Sequence, residues 1–409
     1  MQAFPSLSPE VRQYLLVTGN YWAFTLTDGA LRMLVVLHFH ALGFSPLQIA
    51  SLFLFYEFFG VFTNLLGGWL GARLGLNRTM NLGLGLQVGA LLMLTVPAAM
   101  LSVPWVMAAQ AFSGIAKDLN KMSAKSAIKL LVPDDQQGKL YQWVAMLTGS
   151  KNALKGAGFF LGGALLALLG FTGAVLAMAG VLAMVWVGSL VLLKQDLGKA
   201  KSKPRFRDLL SKSRAINMLS AARLFLFGAR DVWFVVALPV YLSTVFGWDF
   251  WQVGGFLAAW VIGYGVVQSF APKLTGKATG RVPDGRAAFG WALPLAVMPA
   301  GMALGLTAGL SAHLMVIGGL LVFGALFAVN SSLHSYLIVS YAKEDAVSLD
   351  VGFYYMSNAM GRLIGTMLSG WVFEGWGLTA CLGISSLFVA LAAVLSLGLP
   401  RHRARNAGP

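Results

Sequence analysis

Apolar runs of roughly 20 residues recur along the chain from about residue 15 to residue 398, and each is long enough to cross roughly 30 Å of hydrocarbon at about 1.5 Å per residue. Twelve such runs can be counted. Only 11% of the residues are charged, where a soluble domain carries about a quarter. The mean hydropathy of +0.73 points the same way. The expected class is an all-α membrane protein of twelve transmembrane helices.

Lysine and arginine fall unevenly among the loops between these runs. One set of loops holds Arg73 and Arg78; Lys194, Lys199, Lys201, Lys203, Arg205, Arg207, Lys212 and Arg214; Lys273, Lys277, Arg281 and Arg286; Lys343; and Arg401, Arg403 and Arg405. The alternate loops, GFSP (43–46), SVP (102–104), FGWDF (246–250) and EGWG (374–377), hold none. Basic loops stay on the cytoplasmic side, so both termini are expected there, with the chain in the cell (inner) membrane. The net charge of +15 is then a topology signal and implies no nucleic-acid partner. The basic tail RHRAR reads as a topology anchor that can touch anionic lipid head groups. The opening MQAFPSLSPEVRQY lacks a basic n-region and a small-residue cleavage site, so the first apolar helix is expected to remain as an anchor.

The longest polar run, KQDLGKAKSKPRFRDLLSKSR (194–214), separates six apolar runs from six. It divides the chain into an N-terminal half (1–193), a cytoplasmic basic linker (194–214) and a C-terminal half (215–409) with the basic tail. The halves echo one another. GFSPLQI (43–49) aligns with GWDFWQV (247–253), SKNAL (150–154) with MSNAM (356–360), and Asp28 falls one position from the counterpart of Asp231. Glycine, 48 residues in all, supplies the small surfaces at which membrane helices approach closely.

Against this apolar background, IAKDLNKMSAKSAIKLL (115–131) places Lys117, Lys121, Lys125 and Lys129 four residues apart. Each step of four drifts about 40° on a helix, so the four ammonium groups share a face over roughly 18 Å. A lysine facing lipid at mid-membrane costs roughly 2.5 to 3.5 kcal/mol. The face is therefore expected to line a cavity. Arg32 in the first span, Lys151 and Lys155 in the fifth, Arg223 and Arg230 in the seventh and Arg362 in the eleventh add to it. Asp28, Glu57, Asp118 and Asp231 oppose them, and Asp28 has ion-pair spacing to Arg32. Positive charge is in excess, and cations in a low-dielectric cleft call for an anion, here one carrying more than one charge. Arginine adds a fork matched to phosphate-like oxygens. The substrate-binding set is thus Arg32, Lys117, Lys121, Lys151, Lys155, Arg230 and Arg362. Lys125 and Lys129 are open between cargo binding and snorkelling toward lipid head groups. Asp28 and Asp231 are read as counter-ions, with proton coupling as the alternative. Arg230 and Asp231, adjacent and about 100° apart on a helix, need not pair.

Other polar features carry less. His38, His40, His313 and His334 give no metal-ligand set, and Cys381, the one cysteine, rules out a disulfide or thiolate cage. APKLTGKA (271–278) lacks the first glycine and final Ser or Thr of a P-loop, so no nucleotide cofactor is expected. Asn20, Tyr21, Trp22, Tyr354, Tyr355 and Asn358 are read as packing, with shaping of a substrate end as the alternative.

Two six-helix repeats and the loop GWLGARLGLNR (68–78) resemble the major facilitator superfamily, whose halves rock about a central site. The loop keeps Gly68, Leu70, Arg73, Gly75 and Arg78 of that family's gating motif, but Ala72 replaces its acidic residue. Gln110 stands where the family's fourth span places an arginine, and Phe159 where its antiporter motif places proline. The segments NYWAFTLTDGALRMLVVLHFHALG (20–43), SGIAKDLNKMSAKSAIKLLVP (113–133), TGSKNALKGAGFFLGG (148–163) and ARLFLFGARDVWFVVALPVYL (222–242) resemble the organoarsenical efflux permeases of the ArsJ type. That resemblance implies export of 1-arseno-3-phosphoglycerate, made by a partner glyceraldehyde-3-phosphate dehydrogenase, and hence arsenate resistance. A monomer is expected. The competing readings are an organic-phosphate exchanger and a non-transporting membrane sensor; no nucleophile, base and orienter set suggests an enzyme.

Overall fold

A computed structural model describes residues 8–44, 52, 54–193, 197–201, 212–275, 282–345 and 347–400, without the side chains of residues 54, 57, 98 and 250. Among the described residues there is no strand. Backbone polar groups in hydrocarbon must be satisfied within the segment, and a helix does this. The described residues form eleven α-helices, in order: α1 Pro9–Ala41, α2 Leu54–Leu74, α3 Leu76–Met93, α4 Val103–Leu131, α5 Gln137–Leu192, α6 Arg214–Phe234, α7 Ala237–Thr244, α8 Phe250–Thr275, α9 Gly285–Thr307, α10 Gly319–Tyr341 and α11 Val347–Leu397. Local signals set several starts. The Ser8 hydroxyl accepts from the Val11 amide ahead of Pro9, Ser213 accepts from Ile216, and Asp284 accepts from Arg286 and Ala287.

Two helices are too long to be single crossings. α5 has 56 residues and α11 has 51, and each bends at one glycine with positive φ, Gly170 at 68° and Gly377 at 77°. An L side chain there would be strained. Gly377 is the last residue of EGWG, one of the loops without basic residues. Six of the described helices are long and apolar enough to cross a membrane, beginning with Gln137–Leu192. This is fewer than the twelve apolar runs of the sequence. α1 and α4 carry Asp28, Arg32, Asp118 and the lysine ladder on faces turned inward, and that polarity dilutes their hydropathy.

Glycine crossings fix the packing. A methyl group on Gly158 of α5 would lie 2.6 Å from the Leu26 carbonyl oxygen of α1, and one on Gly365 of α11 would lie 2.6 Å from the Gly228 carbonyl oxygen of α6. The same device thus joins α1 to α5 and α6 to α11, which gives the sequence echo a structural counterpart.

The helices before residue 194 meet those after 213 along a seam near the basic loops. The Ser348 hydroxyl donates to the Gly68 carbonyl at 2.7 Å, Tyr141 bonds Thr275 at 2.9 Å, and Tyr336 and Ser340 donate to Gln137 at 3.0 and 3.1 Å. Described linker residues seal this end: Leu197 accepts from the Leu76 amide at 2.7 Å, Ala200 donates to Ala72 at 2.8 Å, and the Lys201 amide reaches Asp345 at 3.0 Å. Lys212 pairs with Asp350 at 3.4 Å. Farther from these loops, Phe58 and Phe62 on α2 and Met367 and Trp371 on α11 are exposed. Residues 194–196, 202–211 and 401–409, and with them most basic residues of the linker and the tail, lie outside the described residues. So does Lys277 with Arg281.

A candidate anion chamber between the helix sets

α4 brings its lysines inward at successive depths. The Lys117 ammonium stands 3.7 Å from the centre of the Tyr56 ring on α2. Arg32 of α1 and Lys155 of α5 approach the same ring at 4.9 and 5.9 Å. The Tyr56 hydroxyl donates to Asp28 at 2.9 Å, and Asp28 also pairs with Lys155 at 3.5 Å. A tyrosine face attracts cations through its quadrupole, so Tyr56 gathers three of them while its hydroxyl holds their counter-ion. One turn deeper, Lys121 pairs with Asp118 at 2.8 Å, and Thr63 donates to the same carboxylate at 2.7 Å.

The C-terminal helices repeat the plan. Asp231 on α6 has no exposed surface; it accepts from Arg230 at 2.6 Å and from Arg362 of α11 at 3.1 Å. Asp28 with Lys155 and Asp231 with Arg362 are therefore matching carboxylate and cation pairs across the two glycine crossings. Arg230 does pair with its neighbour Asp231, a contact their spacing does not require. The long guanidinium arm folds back around the 100° step that separates their Cα atoms.

Cross-seam contacts complete the chamber. Lys121 lies 4.6 Å from the Tyr355 ring of α11. Among the described residues no carboxylate lies within ion-pair distance of Lys151; it donates to Asn152 at 3.1 Å, and Asn152 donates to Gln268 of α8 at 2.6 Å. Gln268 continues to Ser331 at 3.1 Å, and Ser331 accepts from Arg223 at 3.3 Å. Lys125 and Lys129 both find partners within the protein. Lys125 is 3% exposed and donates to Tyr355 and Ser335, while Lys129, 6% exposed, pairs with Asp134 at 2.7 Å.

The structure thus brings together Asp28, Arg32, Lys117, Asp118, Lys121, Lys151 and Lys155 on one side and Arg230, Asp231 and Arg362 on the other. The Glu57 side chain lies outside the described residues. The loop residues Gly68, Arg73, Gly75 and Arg78 lie apart at the basic-loop end. There Ala72 is fully buried against Leu349, and the Ser348 bond to Gly68 joins α2 to α11 without the acidic residue. Arg73 rests over Trp69 at 4.9 Å. Gln110 is buried with its amide nitrogen unpartnered. Asn20 bonds Ser189 at 2.8 Å and Trp22 bonds Ser150 at 2.8 Å, contacts within the N-terminal helices. His38 and His313 stack on Phe171 and Phe246. Among the described residues no group of three or more His, Cys, Asp or Glu could hold a metal. Tyr56, Thr63 and Gln268 were hidden from sequence reasoning, Tyr56 within the aromatic run FLFYEFFG.

Nine cationic side chains, counting Lys125 and Arg223, thus face three described carboxylates. Such an excess among apolar helices focuses positive potential where the two helix sets meet.

A comparison with curated proteins gave no match. The chain is similar over 95% of its length to the human organic anion transporter MFSD10, of which it covers 100%, at 18% identity and a TM-score of 0.76. A bacterial homologue of the iron transporter ferroportin, in an outward-facing state with soaked iron, matches with TM-score 0.74 and 16% identity over 96% of this chain and 99% of that one. The Escherichia coli fucose:proton symporter matches with TM-score 0.70 and 14% identity over 95% of this chain and 98% of that one. Residues 15–328 match the model of one family, and with it the fold and the chamber between helix sets find a common origin: this chain is a multi-pass membrane transporter belonging to the Major Facilitator Superfamily.

Proposed function

We propose that this transporter exports 1-arseno-3-phosphoglycerate, or an organoarsenical of the same double-ended anionic class, and so confers arsenate resistance. The observation that carries the reading is the excess of cations over carboxylates in the chamber, with Lys117, Lys151 and Lys155 on one helix set and Arg230 and Arg362 on the other. A cargo with an arsenyl group at one end and a phosphoryl group at the other engages both sets. It then binds the arrangement that brings them together more tightly than the one that parts them, which is what shifts a two-state equilibrium. Trivalent arsenic is a poor fit. It seeks several thiolates, and the one thiol, Cys381, is buried and turned toward the Ser369 carbonyl.

In this reading the limbs divided at Gly170 and Gly377 give twelve spans in two six-helix halves, with 194–214 as the linker. Both termini lie in the cytoplasm of a cell whose inner membrane holds the protein as a monomer. With the basic loops cytoplasmic, the seam contacts at that end support reading this as an outward-facing state. Asp28, Asp118 and Asp231 serve as counter-ions. A glyceraldehyde-3-phosphate dehydrogenase supplies the cargo.

The test is arsenate survival of a sensitive strain carrying the transporter with and without that dehydrogenase. Protection is expected only with both, and it falls in Lys117→Ala and Lys151→Ala at equal expression. Protection without the dehydrogenase refutes the cargo. Lysine and arginine do not distinguish arsenate from phosphate oxygens, so exchange of organic phosphates is the reading that gains from flux without arsenate protection.

A further inference from the structure

The chamber changes character toward the basic-loop end. Lys125 lies eight residues beyond Lys117 on α4 and Arg223 seven before Arg230 on α6, which sets each roughly 10 to 12 Å closer to the seam. Both are 3% exposed. Of the cations above, Lys155, Lys121, Arg230 and Arg362 pair with Asp28, Asp118 and Asp231. Among the described residues, no carboxylate lies within ion-pair distance of Lys125 or Arg223; all their partners are neutral. Lys125 donates to the Tyr355 hydroxyl and to Ser335 at 3.4 Å. Arg223 donates to Asn358 at 2.8 Å and to the carbonyl and hydroxyl of Ser331 at 3.3 Å, and stacks on Phe227 at 3.8 Å.

These two basic side chains come from opposite sides of the seam and bond hydroxyls one turn apart on α10, Ser335 and Ser331. Arginine cannot shed its proton to escape the cost of burial, and unpaired buried charge is strongly unfavourable. The surroundings are polar and incompletely bonded. Ser331, His334 and Ser335 share one face of α10. His334 Nδ1 and the Tyr354 hydroxyl, whose ring lies 5.2 Å from Arg223, are buried without a hydrogen-bond partner. Tyr336 with Gln137 and Tyr141 with Thr275 close the floor.

We propose that Lys125 and Arg223, with Ser331, Ser335, Tyr355 and Asn358, form a second anion site within the seam that takes a tetrahedral oxyanion of the phosphate or arsenate class. A guanidinium fork and an ammonium group converging from two sides suit such an ion, and the hydroxyl and amide groups can turn to donate to its remaining oxygens. Because one cation belongs to each helix set, the anion ties α4 to α6 only while the seam is closed. It thereby favours that state. The oxyanion has two sources, free inorganic phosphate or the phosphoryl or arsenyl end of an organic cargo. The site itself stands independently of the cargo reading.

The test titrates inorganic phosphate into the purified full chain in nanodiscs, followed by calorimetry. Wild type binds phosphate. Lys125→Met and Arg223→Gln are each expected to weaken binding at least tenfold, Lys125→Arg to stay within threefold of wild type, and Lys273→Ala, an exposed cation over Phe270 outside either site, likewise. The charge-retaining Lys125→Arg guards against loss of binding through misfolding. Absence of phosphate binding by wild type overturns the proposal, as does unchanged binding in both neutralised variants or a loss in Lys273→Ala as large as theirs. Titrating 3-phosphoglycerate against bound phosphate separates the sources: competition lost in Lys125→Met assigns the seam to a cargo end, and simultaneous binding assigns it to free phosphate. Failure of organoarsenical flux with phosphate binding intact refutes the cargo reading and leaves the seam site standing.

Discussion

Removing the Asp231 carboxylate gives the sharpest energetic test of the chamber. Asp231 has no exposed surface and holds two guanidinium groups, Arg230 at 2.6 Å and Arg362 at 3.1 Å, whose side chains are 16% and 29% exposed. Removing one partner of a buried ion pair costs about 3 to 5 kcal/mol, because the remaining charge is left uncompensated. Here both arginines keep some access to the cleft, so Asp231→Asn is expected near the lower end, about 3 kcal/mol. Asp28→Asn should cost less, since its ammonium partner is Lys155 at 3.5 Å and Tyr56 shares the site. The assay is the midpoint of reversible denaturant unfolding in mixed micelles for Asp231→Asn, Arg362→Gln and the double variant. In the double variant the two losses should fall short of their sum by about 1 to 3 kcal/mol, the coupling of neighbours in one network. Additivity within about 0.5 kcal/mol, or an Asp231→Asn variant as stable as wild type, would refute the arrangement. The same variant separates the two roles open to Asp231. A counter-ion can be replaced without moving the pH profile of transport, whereas a proton carrier cannot.

Further outcomes follow from packing and charge. Gly158→Ala forces a methyl to 2.6 Å from the Leu26 carbonyl oxygen and should destabilise by about 1 to 3 kcal/mol; Gly254→Ala, with nothing within 4 Å, should be neutral or better in the same denaturant assay. Tyr56→Phe keeps the ring under Lys117 and loses the Asp28 bond, so it should retain more cargo affinity than Tyr56→Leu, which gives up about 0.5 to 2 kcal/mol of cation–π attraction. Ser348→Ala removes the hydroxyl bond to Gly68, worth about 1 kcal/mol, and should raise labelling of a cysteine introduced beside the seam by about fivefold. Outside the spans, Lys129 holds the Asp134 carboxyl below the ordinary carboxylate range, chiefly through their hydrogen bond and mutual attraction. A depressed folded value means the pair contributes above the unfolded value of about 4 and is lost as pH falls through the folded one. The stability gap between wild type and Asp134→Asn should therefore close below about pH 4 in a pH series of melting curves.

The fold class could be read from the apolar runs, and the site's composition from the lysine ladder and scattered arginines, because charge is too costly in hydrocarbon to be incidental. Depth and partnership could not. Lys125 and Lys129 share the spacing of Lys117, and spacing alone does not tell that Tyr355 and Asp134 are their partners. Arg230 and Asp231 were separated by a backbone angle that says nothing of how far a guanidinium reaches. Tyr56 looked like one aromatic among many, since its ring gathers cations only after α1, α2, α4 and α5 have packed. The loss of the acid at Ala72 obscured the seam, because Ser348 and the linker amides that take its place are distant in sequence. The matched pairs of Asp28 with Lys155 and Asp231 with Arg362 were half visible: the echo of SKNAL and MSNAM marks the helices, and the glycine crossings bring the charges together.

Transport itself decides the central claim. Everted membrane vesicles containing the protein, supplied outside with the dehydrogenase, glyceraldehyde 3-phosphate, NAD and arsenate, should accumulate arsenic, and should not when the dehydrogenase alone is left out. Lys117→Ala and Lys151→Ala should cut that uptake at equal protein content. Arsenic uptake that proceeds without the dehydrogenase, or none with it in vesicles whose transporter is folded, would contradict export of an arsenylated phosphoglycerate.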